Sequence, residues 1–103
     1  MGTGETALAT DEDLMGAYRS NSSETAFRDL YARYEKKLFR FFQKRLPRSK
    51  PETVNDLFQK TWLKIHSSRL QYDSGKSFSP WFFTIALNIL RDHIGHAAEK
   101  VTF

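Results

Sequence analysis

Apolar side chains return along this chain at helical spacing in four stretches, with turn-forming residues between them. Asp11-Glu12-Asp13 followed by Leu14, Met15, Ala17 and Tyr18 predicts a short first helix with acids at its positive end. Asn21 to Ser23 should break it, with Asn21 and Glu24 at the spacing of a capping box for the next helix. There Phe27, Leu30, Tyr31, Tyr34, Leu38, Phe41 and Phe42 line one face as far as about Leu46, and Pro47 stops the helix. A second capping-box spacing, Ser49 to Glu52 with Pro51 in the first turn, opens a third helix. Its stripe is Val54, Leu57, Phe58, Thr61, Trp62 and Ile65, ending near Ser67-Ser68. The polar segment from Gln71 to Phe78 reads as a loop, and Ser79-Pro80 as a cap followed by proline at the first position of a fourth helix. That helix directs Trp81, Phe82, Ile85, Ala86, Ile89, Leu90 and Ile94 inward, and Gly95 ends or loosens it.

No stretch alternates with the period of two that a half-buried strand needs. The predicted fold is therefore all-α, a compact bundle of about four helices. Residues 1–10 read as a flexible start, 11–95 as the helical domain, and 96–103 as the start of a linker or the end of a truncated chain.

Once the core faces are filled, three groups of residues are left over. On the third helix Asp56, Gln59, Lys60 and Leu63 form a polar strip ending in a leucine, either a docking patch for another protein or a solvated face. On the fourth, Phe83 and Leu87 lie opposite the core stripe, with Thr84 and Asn88 adjacent and Arg91 a turn further on. An amide offers paired groups to a base edge and arginine binds phosphate or guanine, but the two apolar residues would equally well cover the first helix. The loop offers Tyr72, Asp73, Ser74, Gly75 and Lys76. An aromatic ring, small hydrogen-bonding groups and a cation suit an unstacked base, and they equally suit an ordinary turn.

Charge changes this picture only in its distribution. Residues 1–24 carry five acids and one base, whereas 28–50 carry nine bases (Arg28, Arg33, Lys36, Lys37, Arg40, Lys44, Arg45, Arg48 and Lys50) against Asp29 and Glu35. Such a block suits an anionic partner such as nucleic acid, or simply a solvated helix face. There is no cysteine, and His66, His93 and His96 have no carboxylates at a metal-binding spacing, so no metal or other cofactor is expected. No nucleophile–base pair or phosphate-cradling glycine motif is visible, which argues against an enzyme. No apolar run approaches the roughly 18–20 residues of a membrane span, and no signal peptide is evident. These features favour a cytoplasmic protein that is not membrane-bound.

From Ala26 to His93, 68 of the 103 residues, the chain resembles region 2 of the bacterial extracytoplasmic-function (ECF) RNA polymerase sigma factors. Ala26-Phe27-Arg28-Asp29-Leu30-Tyr31 with Tyr34 is similar to that family's opening helix. Asp56-Leu57-Phe58-Gln59-Lys60-Thr61-Trp62 is similar to its polymerase-docking motif, Asp-Leu-x-Gln-Glu-x-Phe. Trp81 to His93 is similar to its promoter-reading helix. Each piece alone is a weak motif; three in order at the right gaps are specific.

The resemblance implies a transcription-initiation module. Asp56, Gln59, Lys60 and Leu63 would meet the clamp helices of the polymerase β-prime subunit. Tyr72, Asp73, Ser74, Gly75 and Lys76 would hold a flipped base of the non-template strand of the minus-ten promoter element. Thr84, Leu87, Asn88 and Arg91 would face the same element where duplex gives way to single strands. An anti-sigma factor is a further implied partner. Lys60 stands where the family usually has an acid, Leu87 where arginine is common, and Pro80 where a small or charged residue is usual. The family's second helical domain, which reads the minus-thirty-five element, has no counterpart here, and a truncated chain is the expectation. The rival readings are a helical protein-interaction module that acts as a sigma-like decoy or binds an anti-sigma factor, and a basic helix-turn-helix that prefers duplex DNA.

Overall fold

The computed structural model describes residues 9–101, with side chains as far as His96. Its helices are α1 (Asp11–Asn21), α2 (Glu24–Arg45), α3 (Pro51–Ser67) and α4 (Phe78–Val101), with a 3₁₀ turn at Arg69–Gln71 after α3. The described residues form no strand. The all-α bundle expected from the periodicity is what the chain adopts.

The helix ends show where local chemistry differs from the spacing rules. Thr10 makes a complete capping box with Asp13: the Asp13 amide donates to Thr10 Oγ1 at 3.0 Å and the Thr10 amide to Asp13 Oδ2 at 3.3 Å. The box expected between Asn21 and Glu24 does not form, because Asn21 still belongs to α1. Ser22 turns the chain in the left-handed region at φ 51°, and Ser23 caps α2 by accepting from the Ala26 amide at 3.2 Å. At α3 the box between Ser49 and Glu52 is also absent. Pro51 occupies the first helical position, where its missing N–H costs nothing, so Lys50 becomes the capping residue without a side-chain bond.

The fourth helix begins at Phe78, two residues before Pro80, and continues through Gly95 to Val101. The break expected at Gly95 is therefore absent, and the segment expected to begin a linker at residue 96 is helical as far as Val101. Glycine mid-helix costs only about 1 kcal/mol, which a long helix can absorb. Residues 1–8 of the expected flexible start lie outside the described residues.

α2 lies at the centre, touched by α1, α3 and α4. Its fully inward residues are Ala26, Leu30, Tyr34, Leu38 and Phe42, while Phe27, Tyr31 and Phe41 sit half-buried on the flanks. All six residues of the α3 stripe are buried, and Thr61 satisfies its hydroxyl by donating to the Leu57 carbonyl at 2.8 Å. Aromatic rings link the layers. Tyr34 lies 5.2 Å from Phe78 and 4.9 Å from Phe82, and Trp62 lies 5.2 Å from Phe82 and 4.9 Å from Tyr31. Each such ring contributes roughly 1.5–3 kcal/mol by burial.

α1 docks on this bundle rather than standing apart. Leu14, Met15 and Tyr18 are buried beneath it. Asp11 accepts from Arg33 at 2.9 Å and from the Tyr34 hydroxyl at 2.5 Å, and the Tyr18 hydroxyl is hydrogen-bonded to His66 Nδ1.

Candidate nucleic-acid and partner-binding faces

The segment between α3 and α4 is closed on itself. The 3₁₀ turn delivers Tyr72, whose hydroxyl donates to the Lys76 carbonyl at 2.5 Å. Asp73 Oδ1 accepts from the Gly75 amide at 2.9 Å, and the Lys76 amide donates to the Asp73 carbonyl at 2.9 Å. These bonds fold residues 73–76 into a tight turn whose side chains remain exposed.

Tyr72 departs from expectation. It is 1% exposed, and its ring packs edge-on against Trp81 at 5.1 Å and Phe78 at 6.2 Å. A ring committed to the core has no face to offer a base; Tyr72 props the loop from beneath. Burial raises its phenol above 10.0, and the charges of Glu12, Asp73 and Asp11 push in the same direction. The sequence pattern missed this because Tyr72 lies outside any helical stripe that would mark it as inward.

On α4, Thr84, Asn88 and Arg91 are exposed along one stripe. Thr84 donates its hydroxyl proton to the Pro80 carbonyl at 2.7 Å, leaving its oxygen as an acceptor. Leu87 and Phe83 do not share that exposure. Both are half-buried, and Phe83 packs against Phe41 at 5.5 Å and Tyr34 at 6.1 Å. Phe83 thereby covers α2. Ile94, expected inward, is 49% exposed, since α4 there has run past the end of the core.

α3 presents Asp56, Gln59, Lys60 and Leu63 outward, with Leu63 69% exposed. Lys60 Nζ lies 3.1 Å from Asp56 Oδ2, an exposed pair one turn apart that contributes little to stability. Beside Gln59 and Leu63 opens a cleft of about 740 Å³ whose walls include Phe27, Arg28, Tyr31 and Trp62. Phe27 and Tyr31, on the apolar face of α2 by their spacing, are half-buried in the structure. Their position one step around α2 from Ala26 and Leu30 was the signal that they border a groove.

The basic block keeps its cations outward. Lys36, Lys37, Arg40, Lys44, Arg45, Arg48 and Lys50 are exposed, and among the described residues only Arg33 of this block forms an ion pair, with Asp11. The Arg45 guanidinium lies over Phe41, 3.8 Å from the ring centre, on the α2 flank that meets α4.

The bundle thus carries a polar turn closed by its own hydrogen bonds, an exposed polar stripe along α4 and a separate exposed strip on α3. Residues 30–99 match the family model for Sigma-70 region 2, and the chain belongs to that family. It is 34% identical over 76 residues to RNA polymerase sigma factor CarQ of Myxococcus xanthus, covering 74% of this chain and 42% of that protein. It is 35% identical over 68 residues to ECF RNA polymerase sigma factor SigF of Caulobacter vibrioides, covering 66% of this chain and 37% of that protein. The chain thus spans about two fifths of the length of these relatives. Among solved structures it superposes on an engineered region 2 of sigmaE in complex with GTAAAA, determined by NMR, with a TM-score of 0.77 and 21% identity over 92% of this chain and 96% of that one. The ECF sigma resemblance carried by the three sequence segments is borne out, as is the fold. Among the described residues no helix is long and apolar enough to cross a membrane.

Proposed function

We propose that this chain is the promoter-melting module of an ECF-type sigma factor. It docks on core RNA polymerase through Asp56, Gln59, Lys60 and Leu63, and holds non-template-strand bases of the minus-ten element with the Asp73–Lys76 turn and the Thr84, Asn88 and Arg91 stripe. The observation that carries this reading is the turn itself. It is rigidified by its own hydrogen bonds, exposes its polar edges and leads into α4, along which Thr84, Asn88 and Arg91 stand exposed from roughly 9 to 20 Å beyond Phe78. The names of its relatives, RNA polymerase sigma factors, and the GTAAAA bound by its structural relative point the same way.

The chemistry is recognition, not bond-making. Unstacking a base step costs a few kcal/mol, and a pre-ordered pocket offsets it because little entropy is lost on binding. Lys76 and Arg91 supply charge for the DNA backbone, and the exposed cations of α2 extend that field. Tyr72 and Leu87 act from within, holding the loop and the packing of α4. The work takes place where polymerase and DNA are, in the cytoplasm. An anti-sigma factor would compete for the α3 strip and its neighbouring cleft.

The second reading, a decoy that engages polymerase or an anti-sigma factor without reading DNA, draws on Leu87. It stands half-buried where the family commonly carries arginine, so the α4 stripe has one cation fewer. A binding assay with the isolated polymerase clamp helices and a separate assay with melted promoter DNA distinguish the two. The first reading requires both to bind. Clamp-helix binding without DNA binding at low salt establishes the decoy.

A further inference from the structure

The first helix grips both stems of the loop. At its N-terminal end Glu12 Oε2 accepts a 2.7 Å hydrogen bond from the backbone amide of Phe78, the first residue of α4. Seven residues on, roughly 10 Å along the axis, Arg19 Nη2 makes a looser contact of 3.4 Å with the Leu70 carbonyl in the 3₁₀ turn. The turn at 73–76 is strung between these two points. Glu12 is itself only partly exposed, and its neighbour Asp11 is fixed by Arg33 and Tyr34, so the carboxylate is delivered from an anchored turn of helix.

The amides of a helix's first turn lack intrahelical acceptors and attract anions. At α4 that position lies beside the loop assigned to DNA, yet the Phe78 amide is already satisfied by a side chain 66 residues away in sequence. A DNA phosphate therefore finds this donor occupied, and backbone charge is left to the exposed Lys76 and Arg91. Glu12 adds negative charge next to a DNA-binding loop, which opposes binding unless its structural effect outweighs the repulsion.

We propose that Glu12 is a positioning residue: it fixes the start of α4 and so holds the Asp73–Lys76 turn in the conformation that receives melted DNA. This rests on the function proposed above. By pre-ordering the loop, Glu12 lowers the entropy lost on binding, and its effect falls on the lifetime of the complex more than on encounter. Glutamine preserves the acceptor without the charge; alanine removes both.

The test uses the full chain and its E12A and E12Q variants, followed by amide hydrogen exchange and by dissociation of a labelled single-stranded GTAAAA hexamer at low salt. In E12A the amides of Gly75, Lys76 and Phe78 should exchange about fivefold faster, the effect of losing a helix cap. The hexamer should leave faster by a similar factor, and amides at Leu38 and Phe42 should change much less. E12Q should restore both rates to near wild type. Unchanged loop exchange in E12A, or faster exchange spread evenly over the bundle, overturns the proposal. So does an E12Q variant that behaves like E12A in exchange. If the wild-type chain binds no single-stranded DNA, the DNA reading falls separately, and the exchange rates still decide whether Glu12 holds the loop.

Discussion

The hydroxyl of Tyr34 donates a 2.5 Å hydrogen bond to Oδ2 of Asp11, joining the central helix of the bundle to the acidic first helix. Burial is the main reason its phenol is pushed up to about 12 from 10.0. The hydrogen bond to Asp11 and the charges of Asp11 and Glu12 add to the rise, and a hydrogen bond with Ser79 partly offsets it. The fold thus favours the neutral phenol. Its contribution is fully present below pH 10.0 and is lost as pH rises through about 12. Thermal unfolding followed across that window should show a falling Tm in the wild type, and a shallower fall in Tyr34→Phe. The slope should not vanish in the variant, since Tyr18 and Tyr72 are also raised, chiefly by burial.

The α3 helix separates stability from docking. Trp62 is buried among Phe27, Tyr31, Phe58 and Phe82, so Trp62→Ala should cost about 3–5 kcal/mol and leave little folded protein. Asp56→Ala with Gln59→Ala should leave Tm almost unchanged, within about 0.5 kcal/mol per site, while weakening capture by the polymerase clamp helices. Parallel melting and pull-down measurements check both. Joint loss of fold and affinity in the Asp56/Gln59 variant would place those residues in the core.

Ser22 is the one non-glycine residue with positive φ among the described residues, at the junction of α1 and α2. Left-handed backbone costs a residue with a Cβ about 1 kcal/mol, and glycine avoids that cost. Ser22→Gly should therefore raise the urea midpoint without changing the slope of the unfolding transition.

Tyr72 distinguishes a loop prop from a base-stacking ring. Tyr72→Phe removes one hydrogen bond, to the Lys76 carbonyl, and should lower stability by about 1 kcal/mol. DNA affinity should follow only as far as the turn loosens, visible as faster exchange at Lys76. If the aromatic ring stacked on DNA, Tyr72→Phe would bind as wild type and Tyr72→Leu would lose affinity without losing stability.

The helices were legible because their stripes are long and regular; the six inward residues of α3 read directly from spacing. Their ends were less so. Proline at position 51 and the left-handed Ser22 each shifted a cap by one or two residues, which periodicity does not register. Asp56, Gln59, Lys60 and Leu63 were visible as leftovers on a strongly patterned helix. The burial of Tyr72 and Leu87 was not, because one sits outside a helix and the other on a helix that buries two faces. The bond between Glu12 and Phe78 joins residues 66 positions apart, and no local pattern announces it.

The most direct test of promoter-strand capture is the salt dependence of binding to single-stranded non-template promoter DNA, set against the matching duplex, by fluorescence anisotropy. Binding should be tighter to the single strand and weaken with salt, with a slope reduced by about 0.7 in Lys76→Ala and again in Arg91→Ala. A preference for duplex, or no binding to single strands at low salt by a folded chain, would contradict it.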